Sequence, residues 1–509
     1  MRVHRPTAAD IERERLIVSD RRYGADRPVI IDMLRRLRAA STPPDFYDLH
    51  LELFRRFKTR QDGIGALKKE RSGHQSRRRE LAAQVPRDVS AITAAQRDAD
   101  AVEHAMEVEE ALLSLLRVIG DGIAWRAMGY DRAAFGILGT GARVGRLAAD
   151  EGLDPEIEQI DHYSGEGVFA IHNDLTGCLL HGDVTAIYPE WIEVVEVKRG
   201  RVDPNSAQMV RLRDAIELIN KRRHTFEDGT VRDIVDLPKP YKSRLGHLRG
   251  MLAAAREEGY AAKQLSRCQW CAVASNRLGA DQVAGVREAY ERSMQALDWG
   301  REGAQAFRYN SAFRRMRDRR QSFSSVAPIS IYPLDVEDVA DLMLGYFDVY
   351  TMLNTDILRS QFAERGIDVE IAVGDEADDR FLVARRRVGD RELLVHAGVS
   401  LREQLLMELE ARERHCGGQG RAKRSRGRTR PLKSWSGSCR WPRRPCGRLR
   451  LPEPQSRSVR ASEAARRLTH RRRFPTPARR APGRPSTPRS PRRSRSRRRS
   501  GRPRDRRDR

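Results

Sequence analysis

The sequence predicts an α/β chain of the α+β kind, in which a small mixed β-sheet core is flanked by helices. Three observations carry that expectation. Residues 167–198 hold three short runs rich in apolar and β-branched residues, with turn signals at Asn173-Asp174 and Pro189-Glu190 between them. Long stretches on either side repeat their apolar residues at helical spacing. Beyond about residue 415 the composition turns abruptly to Arg, Pro and Ser, with too little apolar content to bury a core, so this tail is expected to be disordered.

The elements follow in chain order. Residues 8–57 alternate apolar and charged positions at helical spacing, with a break at Ser41-Thr42-Pro43-Pro44. Residues 55–82 are strongly basic, either a solvated helix face or linker, or a patch that contacts phosphate. Residues 90–128 read as one long helix or two abutting ones, with Asp121-Gly122 as the place for a bend; Glu103, Glu107 and Glu110 share a face of it. Residues 136–167 are rich in Gly and polar residues, and Gly139-Thr140-Gly141 reads as a loop without the spacing of a dinucleotide fingerprint. Strands are expected at 167–172, at 177–188, either whole or split at Gly182, and at 191–198. Asp203-Pro204-Asn205 then opens a helix over about 205–222, with Met209, Leu212, Ile216 and Ile219 as its apolar stripe. Residues 231–325 look mainly helical, with basic segments at 238–249 and 308–320; 334–364 look helical again. Strands are expected at 368–373, 380–387 and 391–396, and a last helix at about 400–412.

The net charge of +26 is concentrated in the tail. Residues 411–509 hold 34 Arg and 2 Lys against 5 acidic residues, a balance of +31, which leaves residues 1–410 at −5. The folded part is therefore not a generally basic nucleic-acid coat, and any such surface on it must be local. Six cysteines in 509 residues give no disulfide framework and point to a reducing, cytoplasmic setting. The start of the chain lacks the apolar core of a signal peptide, and no run of about 18 apolar residues implies a membrane span.

The chemistry-bearing feature is Gly182-Asp183 followed, thirteen residues after the Asp, by Glu196-Val197-Lys198. Side chains two apart on a strand share a face, so Glu196 and Lys198 are expected to point the same way. Asp183, at the start of the preceding strand, is expected to meet them across a hairpin turned at Tyr188-Pro189-Glu190. Two carboxylates and an ammonium at one point suit a hard divalent cation and an activated water, and so phosphodiester hydrolysis. Mg2+ or Mn2+ would bind Asp183, Glu196 and the Val197 carbonyl; Lys198 would orient the water or stabilise the charge of the transition state.

These residues resemble the PD-(D/E)xK phosphodiesterase superfamily, over roughly residues 100–225. The resemblance implies a restriction-endonuclease-like fold for the 90–230 core and a metal-dependent nuclease acting on DNA, with RNA also open as a substrate. It also implies a role for Gln208, in the helix after the sheet, in placing water or a phosphate oxygen. It implies an acidic residue in the helix before the sheet that aids the metal, for which Glu110 is the choice, with Glu109 and Glu107 close behind. Gly182 stands where the family has Pro. Asp174 is an alternative to Asp183 as metal ligand.

Other features have plainer readings. Cys268 and Cys271 have zinc-ligand spacing, which Cys178, His224 or His247 would have to complete; buried thiols are the default. His162, His172 and His181 bracket the sheet, with core or surface imidazoles as the default. The chain is expected to divide into a helical N-terminal region (1–89), the α/β core (90–230), a helical region (231–330), an α+β region (331–412) and the tail (413–509), whose sudden onset is also what a reading-frame change in GC-rich DNA produces. The competing function is a non-catalytic nucleic-acid-binding or interaction scaffold built on the basic helical segments, as a homo-oligomer or with a partner subunit.

Overall fold

In the computed structural model, the described residues are 8–139, 147, 150–197, 203, 205–226, 228–229, 231–234, 242–276, 304–309, 326–371, 382–388, 391–397 and 410–411. All described residues belong to one compact unit, Met1–Gly417. The tail expected to be disordered lies outside them.

Helices α1 (Ala8–Ser19), α2 (Arg21–Ala25) and α3 (Arg27–Ala39) precede two long ones, α4 (Pro43–Ala83) and α5 (Val89–Ala127). The Ser41–Pro44 break is the start of α4. Thr42 accepts the Asp45 N–H while the Asp45 carboxylate takes the Thr42 N–H, a reciprocal cap with Pro at the first helical position. The basic stretch 55–82 is thus helix and not linker. α5 runs unbroken through Asp121-Gly122. Gly120 and Gly122 serve close packing there: a Cβ at Gly120 would strike the Leu175 carbonyl oxygen, and one at Gly122 the Ser330 hydroxyl. The two helices lie antiparallel, joined by ion pairs Arg60–Glu109 (2.6 Å) and Arg71–Glu103 (3.0 Å).

After α6 (Arg132–Leu138) and α7 (Asp150–Gly165) comes a meander of β1 (Phe169–His172), β2 (Val184–Ile187) and β3 (Ile192–Val195). The sheet expected to be mixed is wholly antiparallel, because its strands follow one another through short connections that reverse the chain. The strand expected over 177–188 is confined to 184–187, since 177–183 is consumed by a loop. One sheet face packs on α7 through Ala170, Val184, Ala186, Ile160 and Tyr163. The other, with Phe169, Ile171, Ile192 and Val194, joins the main core of α3, α4 and α5.

α8 (Ala207–Lys221) starts two residues later than expected. Ser206, not Asp203, caps it by accepting the Met209 N–H. Its stripe reads as expected, with Leu212 and Ile219 buried and Met209 and Ile216 packed against the same core. A hairpin of β4 (Arg223–Thr225) and β5 (Val231–Asp233) follows, then β6 (Lys242–Ser243) and α9 (Gly246–Glu258).

The expectation of mainly helical chain over 231–325 and 334–364 is corrected. β7 (Tyr260–Ser266), β8 (Gln269–Ser275), β9 (Ala304–Tyr309) and β10 (Phe347–Asn354) form an antiparallel sheet of order β7-β8-β10-β9. Its central strands are buried almost throughout, so they show a continuous apolar run and no alternation, which periodicity alone does not separate from a buried helix. Helices α10 (Val336–Met343) and α11 (Thr355–Ala363) flank β10. The three expected late strands appear as the antiparallel set β11 (Asp368–Ile371), β12 (Leu382–Val388) and β13 (Arg391–Ala397). The helix expected at 400–412 lies mostly outside the described residues; its end is β14 (Glu410–Ala411), paired with β6.

One apolar cluster extends from Ile17 to Val349, across the lines drawn at 89/90, 230/231 and 330/331. Helices and antiparallel sheets therefore share one α+β core. Ion pairs to the buried Asp341 tie its distant parts together, from Arg27 at 2.8 Å and from Arg256 at 3.0 Å. No described helix is long and apolar enough to cross a membrane.

Candidate active site

The β2–β3 hairpin turns at Tyr188–Trp191, where the Tyr188 N–H donates to the Trp191 carbonyl at 2.9 Å. Its register pairs Val184 with Val195. The ladder ends at that pair, because the next bond is off register by one residue: Asp183 and Val184 both lie against Val195, and Glu196 stands near enough for its charge to act on the Asp183 carboxyl. The Asp183 N–H donates to the Val195 carbonyl at 2.8 Å, and the Val197 N–H donates to Asp183 Oδ2 at 2.6 Å. A carboxylate thus takes the rung that a backbone carbonyl would otherwise accept, and Asp183 is fixed from both ends. Gln208, on the first turn of α8, donates through Nε2 to Glu196 Oε2 at 2.9 Å. The structure therefore brings together Asp183, Glu196, Val197 and Gln208. Lys198 lies outside the described residues.

Gly182 has φ +66°, and a Cβ there would stand 2.6 Å from Val194 Cγ1 and 2.9 Å from the Val195 carbonyl oxygen. Proline, fixed near −65°, has no access to that backbone conformation, which is why glycine precedes Asp183 here. Asn173 closes the loop beneath. Its Nδ2 donates to the carbonyls of His181 (2.6 Å) and Gly182 (3.2 Å), its Oδ1 accepts the Thr185 hydroxyl (2.8 Å), and its N–H donates to the Asp183 carbonyl (2.8 Å). Asp121 of α5, almost fully buried, holds the same loop by accepting the N–H groups of Gly177 (2.6 Å) and Cys178 (3.0 Å).

Burial pushes the Asp183 carboxyl up to about 6; the Val197 N–H opposes this, and the negative charges of Glu196, Glu156 and Asp174 add to it. Glu156, on α7, is the acidic residue that the helix before the sheet contributes. The expected Glu110 sits mid-way along α5, where its carbonyl accepts the Ser114 hydroxyl. Its neighbours Glu107 and Glu109 pair with Arg13 and Arg60 and serve the helix packing. α7 is not legible in the sequence as a helix because it falls in a stretch rich in Gly and polar residues, where Pro155 and several glycines mask its periodicity.

Glu156 is held by a buried histidine. His172 Nδ1 accepts the Asp174 N–H at 3.2 Å, so the proton sits on Nε2, which stands 2.6 Å from Glu156 Oε2 and donates to it. The His172 N–H donates to His50 Nε2 at 3.2 Å. His50, on α4, is fully buried, and burial together with His172 pushes it down to about 3, so it stays neutral. Burial also raises the Asp174 carboxyl, against the pull of His172 and Arg117, and Arg117 donates to the Asp174 carbonyl at 3.4 Å. Asp174 thus belongs to the same acidic group as Asp183. His162 is exposed and pairs with Glu166, and His181 offers its carbonyl to Asn173.

Oxygen donors with excess negative charge on a part-buried carboxyl are what a hard divalent cation requires. Asp183 and Glu196 fit an open site of that kind. Among the described residues no group of three or more His, Cys, Asp or Glu side chains is close enough to close around an ion, so the fit rests on two carboxylates and not on a full cage. Zinc fits less well: Cys271, fully buried, is pushed up to about 12, and Cys268 faces a separate apolar cluster with Leu353 and Val369. Both are core thiols. No family model, curated protein or solved structure matches the chain.

Proposed function

We propose that the chain is a metal-dependent phosphodiesterase that cleaves DNA, with Asp183 and Glu196 as the metal-binding carboxylates. The observation that carries this reading is the linked set Val197–Asp183–Glu196–Gln208, assembled from two strands and a helix at one end of the small sheet. A bound Mg2+ or Mn2+ would neutralise the phosphate and lower the pKa of a water molecule. The chain's own residues do the rest. The Val197 N–H and the Gly182 turn fix the Asp183 carboxylate, Gln208 fixes Glu196, and Lys198 orients the attacking water or the charged phosphate. Water oxygen adds to phosphorus and gives up a proton to solvent, the bridging P–O bond breaks, and the leaving oxygen takes up a proton.

The cluster of Glu156 and Asp174 beside Asp183 favours this over a pure binding scaffold, because acids set beside a phosphate weaken binding unless a cation stands between. The test is nicking of supercoiled plasmid by the full chain with Mg2+, Mn2+ or EDTA, beside Asp183→Ala and Lys198→Ala. Metal-dependent cleavage lost in both variants supports the proposal. A folded wild type that cuts neither duplex nor single strand, or variants that cut as well as wild type, would overturn it.

A further inference from the structure

We propose that the distal half of α4 is a DNA-docking arm that runs outward from the candidate active site and grips the phosphate backbone of duplex away from the cut. The inference rests on the nuclease reading for its substrate and on separate observations for its surface. α4 passes directly beside the site. His50 accepts the His172 N–H, the Phe54 ring lies 6.2 Å from the His172 ring, and the Arg117 guanidinium, which reaches Asp174, sits 4.8 Å over Phe57. Ile64 is the last buried residue of the helix. The remaining residues, 65–83, extend for about 28 Å at 1.5 Å each.

Along that length three polar contacts go to α5, Arg71 to Glu103 (3.0 Å), His74 to Asp98 (3.9 Å) and Arg78 to Gln96, and His74 also pairs with Glu70 of the same helix (3.8 Å). At roughly 100° per residue, Arg71, His74 and Arg78 lie within about 60° of one another; Lys69 falls opposite them, Lys68, Arg79 and Arg77 lie about a quarter turn to either side, and the exposed Glu80 stands between Lys69 and Arg77. The four cations Lys68, Lys69, Arg77 and Arg79 are exposed and, among the described residues, have no ion-pair partner. Between them lie Ser72, Gly73 and Ser76, also exposed, and a Cβ at Gly65 or Gly73 would meet nothing within 4 Å. Small residues let a backbone come close, and the cations flank them. The outward face lacks large apolar side chains to insert into a bilayer, and its charge complements a polyanion. Measured along the helix from Phe57, Lys68 stands about 16 Å and Arg79 about 33 Å away. At 3.4 Å per base pair these reach phosphates roughly 5 to 10 base pairs from the site.

The test uses the full chain carrying Asp183→Asn, so that no substrate is cut, with and without Lys68→Gln, Lys69→Gln, Arg77→Gln and Arg79→Gln together. Binding to a labelled duplex of about 30 base pairs is followed by anisotropy between about 50 and 200 mM salt. The arginine-rich residues after 411 contribute equally to both proteins, so the difference isolates the arm. Losing four phosphate contacts lowers the slope of log K against log salt by about 3 to 4 and weakens binding about tenfold or more at the lower salt. A fall in slope of 2 or more supports the arm; a smaller change, with melting temperatures matched, overturns it. So does loss of binding to phosphatidylserine–phosphatidylcholine vesicles with an unchanged DNA slope. Should the quadruple variant not fold, the Lys69→Gln, Arg77→Gln pair is read the same way, with a fall of 1 or more as the threshold. Failure of the nuclease reading shows separately, as a wild type that binds through the arm without cutting.

Discussion

Replacing Asp183 with Asn should stabilise the metal-free protein while abolishing its cleavage. The Asp183 carboxyl is pushed from 3.8 up to about 6, first by burial and then by Glu196, Glu156 and Asp174. Between those two values the folded chain holds a proton that the unfolded chain has released. The stability this gives is full below about pH 4 and is lost as pH rises through 6. Two units would correspond to about 3 kcal/mol, and partial solvent exposure of Asp183 cuts that to about 1–2 kcal/mol. Asparagine carries no such charge and still offers an oxygen to the Val197 N–H, although a neutral acceptor makes the weaker bond. The net expectation is a gain of about 1 kcal/mol for Asp183→Asn above pH 7 in EDTA, about 1–2 °C in melting temperature for a chain of this size, shrinking to nothing near pH 4. Added Mg2+ should raise the wild-type melting temperature and leave the variant's unchanged. The assay is thermal unfolding at pH 4, 6 and 8, with EDTA and with Mg2+. A variant less stable than wild type at pH 8 in EDTA, or a difference that ignores pH, would refute the electrostatic account of the site.

Three further substitutions separate positioning from chemistry. Gly182→Ala places a methyl group against Val194 and the Val195 carbonyl at a positive φ, and should cost about 2 kcal/mol or more along with most of the cleavage, read by melting and plasmid nicking. His172→Ala removes the donor from Glu156 and leaves a cavity beside β1; denaturant unfolding should show a loss of about 2–4 kcal/mol. Gln208→Ala acts at an exposed position on α8, so the melting temperature should hold while cleavage falls about tenfold, and a stability loss without a cleavage loss would assign Gln208 to structure.

The parts of the site that lay on local signals were legible. Tyr188-Pro189-Glu190 marked the hairpin, the apolar and β-branched runs marked β1 and β3, and the hairpin between Asp183 and Glu196 leaves the two carboxylates near enough for their charges to interact. Glu156 was not legible, because helix α7 carries Pro155 and little apolar periodicity, and only its position over the sheet through Ile160 and Tyr163 gives its carboxylate a place beside Asp183. The second sheet was missed for the opposite reason. Its central strands β8 and β10 are buried on both faces, so the alternation that marks a half-exposed strand is absent.

Asp121 shows how a polar residue on an apolar stripe should be weighed. Asp121-Gly122 in the sequence resembles a turn, yet α5 continues through it, because what the dipeptide serves is across the fold and not along the chain. The carboxylate is spent on the Gly177 and Cys178 amides, and the glycines on either side let the helix backbone come against Leu175 and Ser330. The loop that ends at Asp183 is consequently pinned at Asp121, at Asn173 and at Gly182, three positions with no apolar signal between them. A site held this way keeps its carboxylates fixed without a bound ion, and the repulsion among Asp183, Glu196, Glu156 and Asp174 is the cost that a cation would relieve. That is why the pH dependence of stability, and not the shape of the sheet, is the sharpest measure of whether this end of the molecule is built for a metal.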